Sequence, residues 1–381
     1  MVTPFRVAEN HCVTIEGGRI SQLGACEKVS PPRGARIVDV GGSIVCPGFI
    51  DLHVHGGKGK SFNAGNERDF DEIAEFYSAH GTTLMLATLY VDEKEAYLRT
   101  LENLAAYCAK PKHHLLHGIH LEGPFINRAM KGALNEAYIW EANIANWHRL
   151  KKAGGDYIRM ITLAPELAGT EEIMQLAAQD GIAIGIAHSE ARYEDIEVAI
   201  DNGLTQVTHI FNAMHTLHHR MPGVITAALL KRELKVHLIA DCVHVHPAVI
   251  KLLYKLKGPT GILLITDAVS AAGQEDGIYD LAGKQIEMKG GKVYLEEGTL
   301  AGSVITLEKA VKNLVERVNI PVDEAIRMAS LNPARVLGLD NRKGILAVGK
   351  DADIIVLDND YEVCMTIIGG EIRFDRQGSN V

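Results

Sequence analysis

The sequence predicts an α/β chain. A (β/α)8, TIM-like barrel spans residues 47–344, and a small β-sandwich domain is formed by both chain ends, 1–46 and 345–381. Three observations carry this prediction. Eight apolar, strand-like runs alternate with helix-like stretches through the middle of the chain. Each run is nearly continuous in apolar residues, as a parallel strand buried on both faces should be. The two ends share a different texture, short strands joined by glycine-rich turns.

Residues 1–45 read as short strands, with "HCVTIEGGRISQLG" folding back at Gly17 and Gly18 as a hairpin. The eight runs follow: "GFIDLHV", "TTLMLATLY", "LLHGIHLEG", "YIRMITLAP", "GIAIGIAHS", "QVTHIFNAM", "VHLIADCVH" and "GILLITDAV". Stretches such as "ERDFDEIAEFYSAHG", "EEIMQLAAQDG" and "YEDIEVAIDNG" lie between them as helices, each closed by a glycine stop signal. Near the end, "GKDADIIVLDND" and "IIGGEIRFD" return to strand and turn. An open doubly wound sheet is the alternative for the same alternation. No GxGxxG follows the first strand, so the dinucleotide-binding form of that fold lacks its signature.

The 381 residues suit a large barrel or two domains. A net charge of −9 argues against nucleic acid or an anionic membrane as partner. No apolar stretch approaches the ~20 residues of a membrane span, and the start does not read as a signal peptide. Six scattered cysteines without a CxxC read as reduced thiols of a cytoplasmic protein.

A barrel of this kind builds its active site at the C-terminal ends of the strands. There the eight runs place His53 and His55, Glu122, His188, His209 with Asn212, Asp241 with His244, and Asp267. Each has an ordinary reading when taken singly. His53 and His55 point to one side of a strand, where they could hold an ion or sit as polar turn residues. His188 or His209 could be a satisfied core histidine, Glu122 a helix cap, Asp267 an acceptor for backbone amides. Their convergence on one rim points to a metal site. Imidazole nitrogens and a carboxylate suit Zn²⁺ or another first-row divalent ion, which lowers the pKa of a bound water to ~7. A carboxylate that is not a ligand must then carry the proton, and Asp267 is the candidate. This chemistry fits hydrolysis of an amide or related bond, or hydrolytic deamination.

The motifs "PGFIDLHVHG" (47–56), "GIHLEGPFIN" (118–127), "KGA" (131–133), "IAHS" (186–189), "THIFNAM" (208–214), "LHHR" (217–220), "IADCVHVHP" (239–247), "LITDA" (264–268), "GTLAGS" (298–303), "LNPARVLGL" (331–339) and "GILAVGKDADIIVLD" (344–358) occur in this order. On these the chain resembles the amidohydrolase superfamily and, within it, the family that deacetylates N-acetylglucosamine 6-phosphate. The resemblance implies Glu122, His188 and His209 as ligands of the principal metal and Asp267 as catalytic acid and base. It implies a second ion at His53 and His55, with Glu122 bridging, because strand four ends "TLAPE" without the superfamily's carboxylated lysine. One or two divalent ions per subunit are expected, zinc first, with iron, manganese, cobalt or nickel as alternatives. Asn212, the Ala213 backbone and Arg220 would meet the sugar phosphate. Ala133, His244 and the loop Leu300, Ala301, Gly302 and Ser303 would also line the substrate site. The implied reaction is attack of metal-activated hydroxide on the acetamide carbonyl, giving glucosamine 6-phosphate and acetate, in a cytoplasmic homodimer.

Some positions depart from the family pattern. Leu134 stands where several members have histidine, Cys242 where glycine is common, and His215 and Met221 where threonine-like and acidic residues are expected. His113, His114 and His117 could add a basic contact near the phosphate, in the same chain or across a dimer, or form a solvated loop before strand three. The alternatives are a galactosamine-type substrate, a cyclic-amide or dipeptide hydrolase, and an inactive scaffold of the same fold.

Overall fold

The computed structural model describes residues 1–110, 115–281 and 283–378. Eight parallel strands form the sheet at its centre: β1 (Phe49–Val54), β2 (Thr82–Tyr90), β3 (Leu116–Glu122), β4 (Ile158–Leu163), β5 (Ala183–Ile186), β6 (Leu204–Val207), β7 (Lys235–Ile239) and β8 (Ile262–Ile265). Each pairs with its neighbours in sequence order. The seam between β8 and β1 is closed by a parallel bridge from Val54 to Ala268. There the Asp267 amide donates to His53 O at 2.8 Å and the His55 amide to Ala268 O at 2.8 Å. All eight runs read from the sequence are barrel strands.

Among the described residues, the helices outside the barrel include α1 (Glu67–Ala79), α2 (Lys94–Cys108), α3 (Ile144–Gly154), α4 (Thr170–Gln179), α5 (Tyr193–Asp201), α6 (Gly223–Leu230), α7 (Pro247–Lys257) and α8 (Leu307–Val318), with a further helix at Val322–Ala329. Their limits follow local chemistry. Asn66 caps α1 with a full capping box, Pro247 opens α7, and α8 ends at Asn319 in the left-handed conformation. A short helix, Leu331–Val336, packs at the barrel floor beside Ile50, Leu52, Leu84 and Leu86. Asn332 Nδ2 donates there to Pro259 O and Ile262 O, so part of the "LNPARVLGL" motif closes the bottom of the barrel.

The two chain ends do meet. Ile44–Pro47 pairs antiparallel with Ile354–Leu357, which continues into Val363–Ile368 and Glu371–Asp375. The hairpin His11–Glu16 and Arg19–Ala25 leans on this sheet through two glycine turns. A Cβ on Gly18 would lie 2.8 Å from Gly369 O, and one on Gly370 would lie 2.9 Å from Gly18 Cα. Both glycines have positive φ, so close approach and conformation each require them.

Two features depart from the sequence reading. Cys12 and Cys26 form a disulfide across the first hairpin, so the expectation of six reduced thiols is corrected. The two cysteines are 14 residues apart in sequence, and the antiparallel register of the hairpin brings their Cα atoms to 4.9 Å. Thiol titration of the denatured, unreduced chain is expected to count the four free cysteines, and six only after reduction. Six thiols without reductant would remove the bridge. The second feature is a three-stranded antiparallel sheet between β8 and α8, Gly277–Leu281, Lys284–Lys289 and Lys292–Leu295. Its alternating, half-polar strands do not look like barrel strands and were not anticipated. No helix among the described residues is long and apolar enough to cross a membrane.

Candidate metal centre and substrate cavity

The barrel interior is layered. Apolar side chains fill the floor, a polar layer lies above it, and the acids and histidines occupy the mouth. In the polar layer His120 Nδ1 donates to Leu52 O at 3.1 Å, so its Nε2 accepts from the Thr162 hydroxyl at 2.8 Å. Thr162 in turn takes a hydrogen bond from Thr208 at 2.9 Å. Burial drives the His120 pKa down to about 3, which keeps the ring neutral. The His120 ring stands edge-on to His53, centroids 4.8 Å apart. Asp51, pushed up to about 7 by burial against its hydrogen bonds, accepts from the Thr266 hydroxyl at 2.6 Å and the His53 amide at 3.1 Å. It ties the strand that bears His53 to the strand that leads into Asp267.

Above this layer Glu122 is central. Its Oε1 lies 3.0 Å from His209 Nε2, 3.2 Å from His188 Nε2 and 3.6 Å from His53 Nε2; its Oε2 lies 3.3 Å from His55 Nε2. Asp267 Oδ1 is 3.3 Å from His53 Nε2 and 3.2 Å from His55 Nε2. Two buried sets, His53/His55/Glu122 and Glu122/His188/His209, each have their donor atoms within 4.8 Å of one another. The six candidates read from the strand ends are therefore brought together, with Glu122 common to both sets.

The hydrogen bonds indicate what such a cluster needs. His188 Nδ1 donates to Met130 O at 2.8 Å and His55 Nδ1 to Thr88 O at 3.2 Å. In the neutral rings both Nε2 atoms then carry lone pairs, and these face carboxylate oxygens. His53 and His55 also face each other Nε2 to Nε2 at 3.0 Å. Acceptors crowded against acceptors are unfavourable unless a proton or cation lies between them. The titration directions express the same crowding. Burial alone would lower His55, but its bonds to Asp267 and Glu122 carry it up to about 10. Burial alone would raise Glu122, yet the surrounding histidines hold it well below the usual carboxylate range. A buried set of imidazole and carboxylate donors in this arrangement fits a divalent cation.

The backbone pays for this convergence. His188 (φ 51°), His209 (30°), Phe211 (76°), Ala213 (49°), Cys242 (62°) and Asp267 (50°) all adopt the left-handed conformation at one mouth. Cys242 thus holds a backbone shape that glycine takes without strain.

A cavity of about 410 Å³ opens over the cluster. His55, Glu122, His188, His209 and Asp267 line it, with Ala133, Leu134, Asn212, Ala213, His244, Leu300 and Gly302. His244 is aimed by Asp241, whose Oδ2 accepts from its Nδ1 at 2.6 Å. Three residues expected here are not on the wall. Ala301 is fully buried in the apolar cluster beside the three-stranded sheet. The Ser303 hydroxyl donates to Thr266 O at 2.5 Å, while its amide holds Asp267 O at 2.8 Å. Arg220 is exposed, with Nη1 2.8 Å from His219 Nε2. His117 stands at the start of β3, at the opposite end of the barrel, so a phosphate contact within its own chain is corrected; His113 and His114 lie outside the described residues. Sequence reasoning missed Tyr90, Leu281 and Thr299 on the wall. Tyr90 ends a barrel strand and could have been found by the same strand-end rule. Leu281 comes from the excursion after β8, which carries no such signal; Thr299 stands in the quoted "GTLAGS" run beside Leu300, and that motif could have nominated it.

A sequence model of the amidohydrolase family matches residues 44–373. The N-acetylglucosamine-6-phosphate deacetylase of Bacillus subtilis (strain 168) is 33% identical over 378 residues, 98% of this chain and 95% of that protein. The N-acetylgalactosamine-6-phosphate deacetylase of Escherichia coli O157:H7 is 34% identical, over 96% of this chain and 95% of that one. Among solved structures, an Asp-to-Ala variant of N-acetyl-D-glucosamine-6-phosphate deacetylase from Mycobacterium smegmatis, in complex with N-acetyl-D-glucosamine-6-phosphate, superposes with a TM-score of 0.89. It is 33% identical and covers 95% of this chain and 94% of that one.

Proposed function

The chain belongs to the amidohydrolase family, and from that premise we propose that it removes the acetyl group from N-acetylglucosamine 6-phosphate, releasing glucosamine 6-phosphate and acetate. The observation that carries this reading is that one buried carboxylate, that of Glu122, is common to two histidine pairs beneath a cavity of monosaccharide size.

A divalent ion bound by Glu122, His188 and His209, with a second held at His53 and His55, would polarise the acetamide carbonyl and supply hydroxide from a water of pKa ~7. Zinc leads by donor chemistry, with iron, manganese, cobalt and nickel as alternatives. The chain's own groups do the remaining work. Asp267 takes the proton of the attacking water and returns it to the departing 2-amino nitrogen. Its peptide is fixed on both sides, by His53 O and by the Ser303 amide, so the carboxylate is aimed before substrate arrives. His244, oriented by Asp241, and Asn212 offer polar contacts to the sugar, while Leu134 and Val269 give the cavity an apolar side.

The homologous Escherichia coli enzyme favours one second reading, a galactosamine-type substrate. Acetate release across N-acetylglucosamine 6-phosphate, its galacto epimer and unphosphorylated N-acetylglucosamine tests the choice; a faster galacto reaction would reverse it. We assign the phosphate to Arg220 and the Asn212–Ala213 segment, in a cytoplasmic homodimer. Arg220→Ala is expected to raise KM for the phosphorylated sugar by about 10-fold or more, the worth of a charge-assisted hydrogen bond. KM for the unphosphorylated sugar should stay unchanged; equal changes for both sugars would remove Arg220 from the phosphate.

A further inference from the structure

Strand β4 runs into "TLAPE" with no lysine at its end, and Glu166 follows in the loop beyond Leu163. Glu166 lies outside the two metal-ligand sets. Its Oε2 accepts from the Ser189 hydroxyl at 2.7 Å. Its Oε1 accepts from the Glu190 amide at 2.7 Å and from Asn127 Nδ2 at 3.0 Å. All three donors bracket His188. Ser189 and Glu190 form the turn that follows it, and the Asn127 amide donates to His188 O at 2.9 Å. Asn127 also belongs to the loop that runs on from Glu122, and that loop's Met130 O fixes the His188 tautomer.

His188 has a left-handed backbone, φ 51°, which a non-glycine residue does not hold without outside support. We propose that Glu166 is a positioning residue: it clamps the Ser189–Glu190 turn to the Asn127 loop and so sets His188 against Glu122. The inference rests on the metal-site reading above, but it concerns geometry and makes no use of the sugar's identity. A carboxylate suits the task because two oxygens can take three donors at once. A glutamine can do the same. Its Oε1 still accepts from Glu190 and Asn127, and its amide nitrogen can donate to Ser189 Oγ, which turns from donor to acceptor.

The test is titration of Co²⁺ into the metal-stripped chain, read by visible absorption, beside kcat and KM. Glu166→Ala is expected to weaken Co²⁺ binding about 10–100-fold, the usual cost of losing a group that holds a metal ligand in place. Its kcat should fall with metal occupancy, with KM within about 2-fold of the parent, as fits a defect in placing a ligand rather than in binding sugar. Glu166→Gln should bind Co²⁺ within about 3-fold of the parent, since the three hydrogen bonds survive. Parent-like Co²⁺ affinity in Glu166→Ala would overturn the proposal, even if thermal stability dropped. So would equal damage in Glu166→Gln and Glu166→Ala, because charge rather than the clamp would then be at work. If the deacetylase reading itself were wrong, the Co²⁺ series would be unaffected and only the choice of substrate would change.

Discussion

Asp267→Asn is expected to lower kcat by about 10²–10⁴-fold, the range that general acid–base catalysis supplies, while metal bound per chain stays near the parent value. The geometry separates these two readouts. Asp267 Oδ1 lies within 3.3 Å of both His53 Nε2 and His55 Nε2, but Asp267 is in neither donor set. An asparagine keeps the shape and the peptide contacts to His53 O and the Ser303 amide, and loses the ability to take a proton. Metal analysis of the purified variant beside acetate release decides the matter. Loss of metal together with activity would make Asp267 a ligand.

Glu122→Gln should have the larger effect on metal. Both histidine pairs depend on this one carboxylate, so its neutralisation removes the negative charge from both sets and leaves one donor oxygen where there were two. Metal affinity should fall by more than about 100-fold, beyond the cost of losing a supporting hydrogen bond. Activity should be lost with it. The same measurement on the parent has a predicted pH dependence. His55 is pushed down by burial and up by Asp267 and Glu122, reaching about 10, so it carries a proton at neutral pH that an incoming ion must displace. Affinity should therefore strengthen as pH rises from 7 towards 10. Isothermal titration in buffers of different ionisation enthalpy counts the released protons. Retention of stoichiometric metal by Glu122→Gln, with the fold intact by circular dichroism, would show that the two sets do not depend on the Glu122 carboxylate.

Much of this architecture is legible in the chain itself. Strand periodicity and continuous apolar runs identify every barrel strand, because a strand buried on both faces has no alternative to apolar side chains. Strand ends then nominate Glu122, His188, His209 and Asp267, since a parallel barrel presents those ends at one mouth. Arg220, Ala301 and Ser303 show where that logic stops. A loop residue can be named from a motif, but its direction depends on partners elsewhere: Thr266 O for Ser303, an apolar cluster for Ala301, His219 for Arg220.

The sequence alone determined the barrel and the chemical types gathered at its rim, because period and composition are local properties of the chain. Only the tertiary structure decided that Glu122 stands between two histidine pairs, that six residues at the mouth take left-handed backbones, and that Cys12 meets Cys26. The first two depend on segments remote in sequence that barrel closure brings together, and the third on the register of a single hairpin; none is set by a residue's own propensity.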